Sequence, residues 1–164
     1  MLSHCRARPY IWPLVLRQPI KVLWVRRRNI LRTLVSRRAA ESSGVYHVSE
    51  TLKSDSAVKS WVPMEIHLET KSLLRDLESI ESEDADWRER LAELEGVLEI
   101  VYEDYLSDTT AWNDRILGFI DVSQCELRSD LKRVNPTELG RMISNYEGVR
   151  TVLKNTRFGK FLES

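Results

Sequence analysis

Three histidines, two cysteines and 25 carboxylates are what the chain offers for acid–base, nucleophilic or metal chemistry. His4 and His47 fall in the first 50 residues, and only His67 lies where the pattern predicts a packed core. A zinc site needs several His, Cys or carboxylate ligands at compatible spacing, and no CxxC, HxxxH or HExxH occurs. Cys5 and Cys125 lie far apart, which predicts no disulfide framework and a reducing compartment. Cys125 has no His near it in sequence and reads as a small buried residue. No P-loop, GxGxxG or GxSxG is present. Glu95, Glu99 and Glu103 recur at i+4, the spacing of inward-facing glutamates in di-metal bundles. Those sites add a Glu-x-x-His pair, which this chain lacks. Its glutamates also sit off the Leu91/Leu94/Leu98 face, so they are expected to form a solvated stripe. The expectation is no catalytic residue, no metal, no cofactor, no evident small-molecule substrate and no enzyme.

Charge carries more information. The 164 residues hold 25 Lys+Arg and 25 Asp+Glu, a formal net charge of zero. Residues 1–40 nevertheless contain ten of the bases and no acid, so a +10 leader precedes a −10 body. Such asymmetry predicts a separate job for the leader. Its longest uncharged run, Pro9 to Leu16, is far short of the ~20 apolar residues of a membrane-spanning helix. After Pro19, Ile20, Leu23, Trp24, Ile30, Leu31, Leu34 and Val35 alternate with Lys21, Arg26, Arg27, Arg28, Arg32, Arg37 and Arg38. That is a basic amphipathic helix, the pattern of a mitochondrial transit peptide. Arg26, Arg27, Arg28, Arg32, Arg37 and Arg38 would be its targeting residues. Arg37-Arg38-Ala39-Ala40 resembles a matrix processing site, which would leave a mature chain starting near Glu41. The competing reading keeps the basic segment as an arm for RNA or an anionic membrane.

The remaining elements follow from periodicity. Residues 41–62 are rich in Ser, lack a sustained period and read as a linker to a domain at 63–164. Pro63 suits a first helical turn, and Ile66, Leu73, Leu74, Leu77 and Ile80 predict a helix over 64–80. The acidic run 81–86 reads as a turn supplying N-caps. Trp87, Leu91, Leu94, Leu98, Val101 and Tyr105 then keep a 4-3-4-3-4 spacing. This predicts a helix-packing seam, either within a hairpin or between two copies of the chain. Thr110 is placed to cap a helix carrying Trp112, Ile116, Phe119 and Ile120, and residues 111–134 form one helix or two. Asn135-Pro136-Thr137-Glu138 is a helix-start signature, followed by Leu139, Met142, Ile143, Tyr146, Val149 and Leu153. The linker leaves room for a short extended piece at Val45–Val48, which lies outside the residues described below, and no segment of the body alternates as a strand. The expected fold is all-α: a small antiparallel bundle of four or five helices behind a basic N-terminal extension.

From Glu65 to Asp104 there are 14 acids and 4 bases; from Arg128 to Lys160 there are 8 bases and 3 acids. Arg150, Lys154, Arg157, Phe158 and Lys160 therefore stand as a candidate partner or RNA surface.

Two local stretches resemble known families. Leu73-Leu74-Arg75-Asp76-Leu77, Asp86-Trp87-Arg88-Glu89-Arg90-Leu91, Leu94 and Leu98 resemble the first repeat of HEAT-type tubulin-binding domains. Leu153-Lys154-Asn155-Thr156-Arg157-Phe158-Gly159-Lys160 is similar to the signature of the transcription-elongation helical-bundle domain. Each covers a minor part of the chain, and no functional residue is carried across. The leading expectation is a non-catalytic protein of the mitochondrial matrix. It would serve as accessory subunit or assembly factor of the mitoribosome or a respiratory complex, through protein and RNA contacts. The rival is a cytosolic or nuclear adaptor, tubulin-binding or transcription-associated, that keeps its basic arm.

Overall fold

The computed structural model describes residues 17–44, 65–128 and 138–163. Among them are strands β1 (Val22–Arg26) and β2 (Val97–Val101). The helices are α1 (Ile30–Ser43), α2 (Leu73–Leu91), α3 (Tyr102–Ser107), α4 (Thr109–Phe119) and α5 (Tyr146–Leu153). Helix dominates, but the two strands pair in parallel, so the chain is not all-α and its described elements do not make a simple antiparallel bundle. The chain divides into two compact units, each discontinuous in sequence: residues 1–28 with 85–126, and 29–84 with 127–164.

The second unit holds the larger core, and the former leader is part of it. Leu31, Leu34 and Val35 recur at i, i+3 and i+4 on α1, the spacing of one helix face. They are buried with Leu73, Leu77, Ile80, Leu139, Met142, Ile143, Val149, Leu153, Phe158 and Phe161. Asn29 begins α1: its Oδ1 accepts from the Arg32 N–H at 3.0 Å while its Nδ2 donates to the Phe161 carbonyl at 2.9 Å. One buried amide thus caps a helix and ties down the C-terminal segment. Asn29→Ala removes both bonds and leaves the Phe161 carbonyl short of a donor. We expect it to cost about 2 kcal/mol, read as a lower urea midpoint at unchanged slope. Gly44 closes α1 at φ 68°, a conformation that costs glycine little.

The predicted helix over 64–80 starts later than expected. Residues 65–69 are not helical, and Ile66 forms a parallel bridge with Ile143. The Asn145 side chain holds the next turn by accepting from Leu68 N–H at 3.0 Å and donating to Leu68 O at 2.7 Å. The predicted turn at 81–86 is instead the middle of α2. Ile80 and Trp87 are seven residues apart and stay on one face of a continuous helix. Glu83 and Asp84, three or four residues from each, are half-buried on that face, with Glu83 paired to Arg37, while Glu81 and Asp86 are exposed. The Asn135-Pro136-Thr137 signature lies outside the described residues. A single 3₁₀ turn, Leu139–Arg141, follows it, and α5 begins only at Tyr146.

In the first unit the predicted seam helix over 87–105 does not exist. α2 stops at Leu91, Leu94 lies in the turn, Leu98 and Val101 are on β2, and Tyr105 is on α3. Trp87 and Leu91 bury against Trp24 of β1, with Val22, Leu94 and Val97 packed alongside. The strand register pairs Val22 with Val97, Trp24 with Glu99 and Arg26 with Val101, so these six share one sheet face. The opposite face buries Leu98 and Ile100, while their register partners Leu23 and Val25 are 40% and 60% exposed. A Cβ at Gly96 would stand 3.3 Å from the Ile20 carbonyl oxygen, which explains glycine at the entry to β2. α4 is capped by Asp108, whose Oδ1 accepts from Ala111 N–H at 3.0 Å, not by Thr110. It ends at Phe119, and residues 122–128 are not helical, so the described part of 111–134 is not one helix.

Candidate functional site

Parallel strands deliver their carboxyl ends to the same end of a sheet, and open parallel sheets bind ligands just beyond those ends. Here β1 ends in Arg26 and continues with Arg27 and Arg28, while β2 runs directly into Tyr102-Glu103-Asp104 of α3. The two stretches interlock. Arg26 pairs through Nε with Glu99, its neighbour on the same sheet face. The Arg27 guanidinium lies over the Tyr102 ring, 4.4 Å from its centre, a cation–π contact. Arg28 Nη2 donates to both Asp104 oxygens at 2.8 and 2.9 Å, and its backbone N–H donates to Glu103 Oε2 at 2.9 Å. The Asp104 hydrogen bond, followed by its charge, raises the Arg28 pKa above the ordinary arginine value. Arg26 also stands 5.8 Å from the Trp24 ring centre, and Arg88 stands 5.6 Å from it.

Of the proposed targeting residues, Arg26, Arg27 and Arg28 thus all lie at the strand ends, each against its own partner, Glu99, Tyr102 and Asp104. Arg37 and Arg38 lie elsewhere, on α1 in the second unit, paired with Glu83 at 2.9 Å and with Glu41 and Asp76 at 3.0 and 3.4 Å. Arg32 is on the same helix, half-buried.

The C-terminal basic surface is only partly a surface. Phe158 is 2% exposed and stacks with Phe161 inside the core, their centroids 6.4 Å apart. Arg157 bridges to Glu81 at 2.9 Å and Glu78 at 3.5 Å, and Arg150 stands 3.6 Å from Glu147. Lys154 and Lys160 are exposed. The five residues therefore do not present stacked aromatics between free cations, the arrangement that single-stranded nucleic acid uses.

The glutamate stripe also dissolves. Glu95 is in a turn, Glu99 on a strand and Glu103 on α3, and the last two accept from arginine donors. Sequence reasoning missed these partners and Asp104. The available signal was Gly96 followed by Val97-Leu98-Glu99-Ile100-Val101, a β-branched run whose buried Leu98 and Ile100 alternate with half-buried neighbours. His67 and Cys125 are both exposed, against the core positions expected for them. Among the described residues no cluster of His, Cys, Asp and Glu is arranged to hold a metal ion. No helix of the described residues is long and apolar enough to cross a membrane. Comparison with protein-family models, with curated proteins and with solved structures finds no match.

Proposed function

We propose that the protein is a binding module that keeps its basic N-terminal segment, and that Arg26, Arg27 and Arg28 form the seat for a phosphate- or sulfate-type group. The supporting observation is the run of three arginines at the carboxyl end of a strand in a parallel pair. Guanidinium forks match the planar faces of oxyanions, and a backbone N–H beside them adds a donor of fixed direction. Tyr102 and Trp24, each beneath an arginine, hold the cations in place without neutralising them. The carboxylates of Glu99, Glu103 and Asp104 set the resting charge of the cluster close to zero, so a ligand competes with Glu103 and Asp104 and brings its own negative charge to replace theirs.

Titration of the full chain with inorganic pyrophosphate, followed by calorimetry or by amide shifts, tests this. The wild type is expected to bind, and Arg28→Gln is expected to weaken binding about tenfold, the scale of one lost charge-assisted contact. Equal affinity in the wild type and Arg28→Gln would place the anion elsewhere and sink the proposal.

A further inference from the structure

The pairing of Arg28 is built like a ligand contact, and that suggests how the seat is regulated. We propose that Asp104, assisted by Glu103, is a built-in acidic latch that occupies the Arg28 donors until an oxyanion displaces it. The inference rests on the oxyanion reading above. One guanidinium nitrogen meets both Asp104 oxygens, at 2.8 and 2.9 Å, and the Arg28 main-chain N–H meets Glu103 at 2.9 Å. A guanidinium and a main-chain N–H of one residue, here divided between two neighbouring carboxylates, are donor types from which phosphate and sulfate oxygens also accept. On this proposal the ligand takes the place of both acids.

Two further features make the latch releasable. The Arg28 and Asp104 side chains are 62% and 44% exposed, and an exposed pair of this kind holds weakly against solvent and salt. Both acids lie on α3, a helix of six residues with no buried side chain, so little core packing resists its displacement. Glu99 differs: it is anchored mid-strand between the buried Leu98 and Ile100, and its pairing with Arg26 is part of the sheet. Oxyanion entry therefore exchanges Asp104 and Glu103 while Arg26–Glu99 stays as framework. Charge repulsion from the incoming anion drives the acids outward.

The test compares pyrophosphate affinity at fixed ionic strength in the full-length wild type, Asp104→Asn, Glu103→Gln and Arg28→Gln, with melting curves to establish that each is folded. Asp104→Asn is expected to bind about threefold to fivefold tighter, the range of a released surface ion pair, and Glu103→Gln about twofold tighter. Affinity in Asp104→Asn equal to or below wild type, with binding still weakened in Arg28→Gln, overturns the latch and leaves the seat standing. Absence of binding in all four proteins overturns both.

Discussion

A chain beginning at Glu41 is expected not to fold. Removing residues 1–40 takes all of β1 and eleven of the fourteen residues of α1. The second unit then loses Leu31, Leu34 and Val35, and the first loses Trp24, all buried. Full burial of a large apolar side chain contributes about 1.5–3 kcal/mol, and a domain of this size has only about 5–15 kcal/mol to lose. β2 would also lose its pairing partner, leaving its main-chain donors and acceptors unsatisfied. Circular dichroism of a 41–164 protein should show no cooperative transition in urea, whereas the full chain should show one. A sharp transition for the shorter chain would restore processing near Ala40 as a workable route. The N-terminus of the endogenous protein gives the same answer from cells: on the reading proposed here its first peptide starts before Val22.

The second large effect is expected at Phe158. Had Phe158 been a nucleobase platform, its truncation would weaken RNA binding and leave stability alone. Its burial beside Phe161, Leu153 and Val149 reverses the forecast. Phe158→Ala should cost about 3–5 kcal/mol, the usual range for a buried phenylalanine, because a ring-sized void opens in a core that cannot fully collapse. Thermal melting reads this directly. Charge reversal at the exposed Lys154 and Lys160 should leave the melting temperature within about 2 °C, as surface substitutions away from packed features do. A Phe158→Ala protein as stable as wild type would mean that the aromatic is not core.

The helices were legible where one stripe ran without competition. Leu31, Leu34 and Val35 mark α1, and Val149 and Leu153 mark α5, because helical spacing and burial coincide there. The strands were hidden by coincidence of spacing. Leu91, Leu94, Leu98 and Val101 keep steps of three and four residues although a turn and a strand separate them. Five-residue strands are too short to outweigh such a run, and β1 sat inside a stretch whose arginines suggested an amphipathic helix. The candidate site was half legible. The arginine cluster stood out by composition, but its carboxylate partners lie some 73 to 76 residues away and meet it only through the parallel register. No local pattern encodes a pairing of that span. Asn29 escaped notice for a similar reason: its cap role is local, while its bond to Phe161 spans 132 residues.

The interleaving of the two units has a consequence during synthesis. Val22 pairs with Val97, so β1 leaves the ribosome 75 residues before its partner exists. At about 5–20 residues per second, Trp24 and the rest of the strand wait about 4–15 s without a sheet to join. α1 waits longer still, because its core is completed by residues up to Phe161. The first unit has all its residues once position 126 is made, whereas the second must wait for its C-terminal segment, so the apolar face of α1 stays uncovered longer than that of β1.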